Sequence, residues 1–271
     1  MSHNLNPPDS PDFALPALAI VSVEGPDASR FLHAQSMNDV ADLSVMDWHL
    51  DGWLTPQGRL VALFTVIKLS AEHLLLVTPS SGVTELVAGL QRFVFRSKVK
   101  LSTMPGATVA GAAAELPAGT RVQVSSDVVR VRWPGEARSM CLHLTGPAAP
   151  VDAMQATHWM RQDMRLGIPW IGADATPAWT PQQLSLERWP AFSVKKGCYP
   201  GQEIVARTHF LGKGKRQLHR IQWATDPGDC TESAIVQRFG TEALCVLPID
   251  AKDHPDLMCG VAFDVLPFDP R

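Results

Sequence analysis

The sequence predicts an α+β protein built from more than one compact unit, and three observations carry that prediction. The chain has 271 residues, more than one small core organises. Strand-like and helix-like apolar patterns alternate from Leu18 to Leu166. From Ile221 the pattern changes to short apolar runs punctuated by DPGD, RFG and KDHPD, which reads as a small all-β unit.

The first twelve residues, MSHNLNPPDSPD, are polar and proline-rich and read as a flexible leader. LAIVSVEG (18–25) reads as a strand ending in a turn. A helix is expected over 26–40, with Pro26 at its first position and Ala28, Phe31, Leu32, Gln35 and Met37 along one stripe. WHLDGWLTPQGRLVALFTVIKL reads as two strands joined through Pro56-Gln57-Gly58, and EHLLLVTP as a third. Val83, Leu86, Val87, Leu90 and Val94 predict an amphipathic helix. VQVSSDVVRVRW alternates about a Ser-Ser-Asp turn and predicts a hairpin. A further helix is expected after Pro150, carrying Met154, Trp159, Asp163 and Leu166.

Composition narrows the function classes. Net charge is −3, so no global field calls for nucleic acid or an anionic membrane, and direct nucleic-acid binding is not expected. The longest apolar runs are broken by Lys68, Glu72 and His73 before membrane-spanning length. The five cysteines, Cys141, Cys198, Cys230, Cys245 and Cys259, include no CxxC pair. Neither a disulfide framework nor a local metal-ligand set is expected, and the cytoplasm is the expected compartment. No Ser-His-Asp order, P-loop or dinucleotide fingerprint is present.

The most informative stretch is KKGCYPGQEIV (195–205). Lys195 and Lys196 lead into Cys198, and Tyr199-Pro200-Gly201 leads out of it. A helix beginning near Gln202 would turn its free N–H groups back toward the cysteine, and these with the lysines would favour thiolate. The same residues also fit a small cysteine in a tight corner, with its lysines in solvent. Gln202 and Glu203 would either contact a substrate or fix the turn through backbone hydrogen bonds.

KKGCYPGQEIVART (195–208), followed by LGKGKRQL (211–218), closely resembles the signature of the YgfZ-type folate-binding proteins, relatives of the glycine-cleavage T-protein. GPDASRFLHAQSMNDV, LTPQGRLVALF, RLGIPWIG and the Pro181-Gln182 pair are similar to further family segments in the same order, so the resemblance spans residues 17 to 220. It implies three domains in a ring around a central channel. The first is discontinuous (13–45 and 105–200), the second is inserted (46–104), and the third is a small C-terminal β-barrel (201–271).

The resemblance also implies tetrahydrofolate or a derivative in the channel. The implied role is support of iron–sulfur client enzymes, including a tRNA-modifying one, with a transient iron–sulfur cluster as a further cofactor. Cys198, Lys196, Tyr199, Gln202 and Glu203 are then the working residues. Trp159, Asp163, Arg165, Arg207 and Arg216 are the folate-side residues, with the basic stretch available to the glutamate tail of a folate. No metal ligand is expected.

Three positions depart from the family. Arg165 stands where a glutamate is usual, and arginine cannot accept from a pteridine's donor edge; Asp163 is the nearest substitute. Leu18 stands where a second tryptophan is usual, and Ser185 where an asparagine is. The acidic pair of the aminomethyltransferases falls on Ala62 and Leu63, neither of which can act as acid or base, so the glycine-cleavage reaction is not expected. Two rival readings remain at this point: a folate-dependent one-carbon transferase or demethylase, and a non-catalytic module that docks a client protein or RNA.

Overall fold

The computed structural model describes residues 12–212, 214–251 and 257–270. The expected leader, apart from Asp12, lies outside the described residues, as do Lys213 and the KDHPD turn.

Among the described residues, three five-stranded antiparallel sheets make up the fold. The central one takes β2 (Leu18–Glu24), β3 (Asp47–Leu54), β4 (Leu60–Lys68), β5 (His73–Pro79) and β6 (Lys100–Thr103), in the order β3-β4-β5-β2-β6. Both of its faces are buried, which is why β4 and β5 read as near-continuous apolar runs. Successive residues point to opposite faces. Val21, Val23, Phe64 and Val66 pack with Phe31 and Leu32 of α1 (Ala28–Gln35) and with Leu86 and Leu90 of α2 (Val83–Gln91). Ile20, Leu63, Ile67, Leu75 and Val77 enter a second core on the other face.

That second core is shared with the next sheet, β1-β7-β10-β9-β8. Its strands are β1 (Phe13–Ala14), β7 (Thr108–Ala112), β8 (Gln123–Ser125), β9 (Val128–Trp133) and β10 (Arg138–His143). Val129, Val131, Trp133 and Met140 face the core, together with Trp159, Met164 and Leu166 of α3 (Ala153–Leu166). Asp152 caps α3, its carboxylate accepting from the N–H groups of Met154 and Gln155. Gly167 closes the helix at φ 78°, a left-handed position that suits glycine.

The C-terminal sheet runs β12-β13-β11-β15-β14, with β11 at Arg216–Trp223, β12 at Ile235–Phe239, β13 at Glu242–Pro248, β14 at Leu257–Met258 and β15 at Val261–Leu266. Ile221, Trp223, Cys245 and Met258 form its own small core, while Leu218, Leu244 and Val246 join the large one. Among the described residues β12 and β14 do not pair, so hydrogen bonding does not close this sheet into a barrel. A disulfide between Cys230 and Cys259, Cα atoms 5.6 Å apart, ties the turn before β12 to the turn after β14. The lack of local cysteine spacing concealed this pair, whose members lie 29 residues apart.

β2 pairs with β5 and β6, and β1 pairs with β7 in the sheet of residues 108–143. α4 (Gln202–Leu211) precedes the C-terminal sheet, whose first strand starts at Arg216. The expected helix over 26–40 is shorter, because the backbone turns extended at Ser36. No described helix is long and apolar enough to cross a membrane.

Candidate functional site

The Lys195–Gln202 segment forms a loop that enters α4 through Gly201 at φ 80°. A side chain at Gly201 would come within 2.6 Å of the Thr55 carbonyl and 2.7 Å of Gly58 Cα, so the start of α4 is seated on the tip of the β3–β4 hairpin. Gln182 Nε2 donates to Val205 O (2.9 Å) and fixes the first turns of the helix from another side.

Lys196 is the anchor of the loop. Its side chain is buried, and its ammonium donates to the carbonyls of His33, Ser36 (2.7 Å) and Asn38 (2.8 Å) at the C-terminal end of α1. It also lies 4.9 Å from the Tyr199 ring centroid. Burial lowers its pKa to about 8, against the opposing pull of Asp51 and Asp39. Asp51, fully buried on β3, accepts from Ser36 Oγ (2.6 Å) and from the N–H groups of Asn38 and Gly52 (both 2.7 Å). Tyr199 O–H donates to Ser193 O (3.2 Å), and burial raises its pKa. Gln202 Nε2 donates to Lys196 O (3.0 Å). Lys196, Tyr199 and Gln202 therefore hold the loop, and Cys198, free and exposed, is the group they present. Glu203 and Arg207 are exposed on α4. The other free cysteines, Cys141 and Cys245, are buried, and burial raises the pKa of both.

Arg216 lines a cavity of about 370 Å³ at the C-terminal end of α4, with Gln182, Glu187, Thr208 and His209. Trp159 lines a different cavity, of about 420 Å³, with Phe13, Glu136, Arg138, Gln155, His158 and Gln162 among its walls. Gly111 makes room for the indole, since a side chain there would come within 2.8 Å of the ring. Phe13 meets Trp159 edge-on and the Arg138 guanidinium lies 4.4 Å from its ring centroid, yet the buried indole N–H has no partner among the described residues.

The remaining two expected folate contacts do not line that cavity. Asp163 is fully buried. Its Oδ1 accepts from Trp133 Nε1 (2.8 Å) and Arg138 (2.7 Å), and its Oδ2 from Trp170 Nε1 (2.9 Å). Burial raises its pKa against the pull of Arg138 and the two indoles. The carboxylate is thus committed to internal donors. Arg165 turns onto the C-terminal sheet, where its fork grips both carboxylate oxygens of Glu242 (3.0 and 2.6 Å). Ala62 and Leu63, on β4, are fully buried among apolar side chains, so this stretch offers no acid or base. Leu18 is buried in the large core, and Ser185 Oγ accepts from Leu218 N (3.3 Å).

Sequence reasoning missed Asp51 and the carbonyls that receive Lys196, since they lie some 150 residues from the motif. It also missed Gln155, His158 and Gln162, although with Trp159 they follow the spacing of one face of α3.

No family model matches the chain. The tRNA-modifying protein YgfZ of Klebsiella pneumoniae (strain 342) is 25% identical over 222 residues, covering 74% of this chain and 68% of that protein. The tRNA-modifying protein YgfZ of Edwardsiella ictaluri (strain 93-146) is 26% identical over 261 residues, covering 82% and 78%. Among solved structures, the glycine cleavage system aminomethyltransferase T from Bartonella henselae matches with a TM-score of 0.70 at 16% identity, over 96% of this chain and 86% of that one. The last comparison shows the fold alone.

Proposed function

We propose that this chain, a YgfZ-type protein on the aminomethyltransferase T fold, is a folate-binding accessory protein that serves tRNA modification through the thiol of Cys198. The observation that carries the folate part is a cavity of about 420 Å³ walled by Phe13, Arg138, Gln155, His158, Trp159 and Gln162. The volume lies within the roughly 300–1,000 Å³ of small-molecule sites. The walls combine flat apolar surface from Phe13 and Trp159 with polar groups from Gln155, His158 and Gln162, which suits a pterin carrying a polar tail. Folate would supply a one-carbon carrier; the protein's part is to bind and orient it. The ring of three domains around a channel belongs to the same reading.

The thiol part rests on how the motif loop is built. Lys196, Tyr199 and Gln202 spend their polar groups inside the protein and leave Cys198 exposed. A thiol held out on a loop tied down by these hydrogen bonds is placed to meet an iron–sulfur client, including an enzyme that modifies tRNA. The absence of a carboxylate at Ala62 and Leu63 weighs against aminomethyl transfer by the usual route.

Equilibrium dialysis with tetrahydrofolate tests the first part. Saturable binding is expected, and Gln162→Ala, which removes a polar group from the cavity wall, is expected to weaken it by about two- to tenfold. Absence of saturable binding by the wild-type chain would remove the folate reading. For the second part, Cys198→Ser should lose support of an iron–sulfur-dependent tRNA modification in cells at unchanged protein level. Full support by that variant would leave only the binding-module reading.

A further inference from the structure

The segment 92–100, RFVFRSKVK, leaves α2 and enters β6. It contains four Lys or Arg and no acid, in a chain whose net charge is −3. Arg92, Arg96, Lys98 and Lys100 are all exposed. So are two phenylalanines, Phe93 at 48% and Phe95 at 86%. Burying a phenylalanine is worth about 1.5–3 kcal/mol, yet in this segment the valines, Val94 and Val99, pack on the core and the rings are left outside.

The strap is also held in place. Val94 N donates to Gln91 O (3.0 Å), and Lys98 N donates to the Asp27 carboxylate (2.7 Å). Phe93 lies edge-on to Trp53 with centroids 6.2 Å apart, and the Arg96 guanidinium lies 5.4 Å from the Phe95 centroid. The neighbouring acids are engaged. Asp27 accepts from Lys98 N and Arg30, and Glu24, opposite Lys100 in the β2–β6 register, accepts from Ser22 Oγ.

We propose that this strap is a docking surface for a single-stranded polynucleotide, with Phe95 and the Arg96 plane stacking on unpaired bases and Arg92, Lys98 and Lys100 meeting the phosphates. Exposed rings interleaved with cations are what such a strand requires, because every base offers a π face and every linkage a negative charge. The inference goes beyond the proposed function, which needs no contact between this chain and nucleic acid, and it replaces the expectation drawn from net charge with one drawn from local charge.

Fluorescence anisotropy with short labelled oligouridylate and the matching oligodeoxyuridylate, on the full chain, tests it. Binding that falls steeply with salt is expected. Phe95→Ala should raise Kd by at least about fivefold, and Arg92→Glu with Arg96→Glu should remove binding, both at unchanged Tm. Tighter binding of the RNA would assign it as the strand recognised, and equal binding would assign a surface indifferent to the 2′-hydroxyl. Three outcomes would overturn the proposal: no binding of either strand at low salt, a Phe95→Ala variant that binds like wild type, or polyglutamate competing as well as the oligonucleotides. Tetrahydrofolate binding and Cys198 reactivity are independent of this surface, so failure here would leave the proposed function standing.

Discussion

The ammonium of Lys196 donates to the backbone carbonyl of Ser36 across 2.7 Å, joining residues 160 positions apart. Its other two acceptors, His33 O and Asn38 O, lie beside the first, so one side chain closes the end of α1 and sets the loop that carries Cys198.

Lys196→Met keeps the stem and removes the donors. Leaving these carbonyls without partners is expected to cost about 2–3 kcal/mol in urea unfolding. The pH dependence has a definite sign. The folded-state pKa is lowered to about 8 from 10.5, so between these values the unfolded chain retains a proton that the folded chain has released. Wild-type stability relative to Lys196→Met should therefore rise as pH increases through that window. A flat or falling difference would show that burial does not govern this amine.

Asp163 faces three donors and no solvent. Asp163→Asn turns an acceptor into a donor beside Trp133, Trp170 or Arg138 and leaves the buried guanidinium without its counter-charge. A loss of about 3–5 kcal/mol is expected, read by urea unfolding, together with a changed tryptophan emission spectrum. Normal stability combined with lost tetrahydrofolate binding would instead restore Asp163 as a ligand-side residue.

Glu242 is held below its usual pKa, first by the hydrogen bonds from Arg165 and then by Arg220. The stabilisation from this cluster is present above the unfolded carboxyl pKa and is lost as pH falls through the lower folded value. Arg165→Leu should reduce stability by about 1.5–3 kcal/mol at neutral pH and by less in acid. An effect that does not shrink with falling pH would assign it to packing of the arginine stem.

The cysteines divide by accessibility. A thiol reagent should find one fast group in the native chain, Cys198, and three free thiols in denaturant once Cys141 and Cys245 are exposed. Replacing both Cys230 and Cys259 by serine opens a loop spanning 29 residues, with an expected loss of about 3–4 kcal/mol. Five thiols in unreduced denatured protein would show that the bond does not form in solution.

Strands β2 to β5 of the central sheet were legible from their apolar patterns, and α3 because its cap, stripe and glycine stop agree. β6 and β7 were not: KLST and TVAGA are short and rich in small or polar residues, and only their neighbours make them strands. The motif was legible as a place but less so as a set of roles. Lys196 reads as a surface charge beside a thiol, and only the carbonyls of a distant helix end make it a clamp. Arg165 reads as a damaged ligand position until Glu242, 77 residues on, supplies its partner. Spacing along a chain records which residues share a local face, and these partners share none.

The contact between Gly58 and Gly201 restricts mutational drift. Each residue sits where the other's side chain would have to go: a Cβ at Gly201 meets Gly58 Cα at 2.7 Å, and one at Gly58 meets Gly201 O at 3.3 Å and the Ile204 side chain at 2.9 Å. At Gly201 the obstacles are main-chain atoms, which no smaller neighbouring side chain can remove, whereas at Gly58 the nearest obstacle is the Ile204 side chain. The size limit on the cysteine loop is therefore written into the backbone of the hairpin tip, and that on the hairpin tip into one side chain of α4.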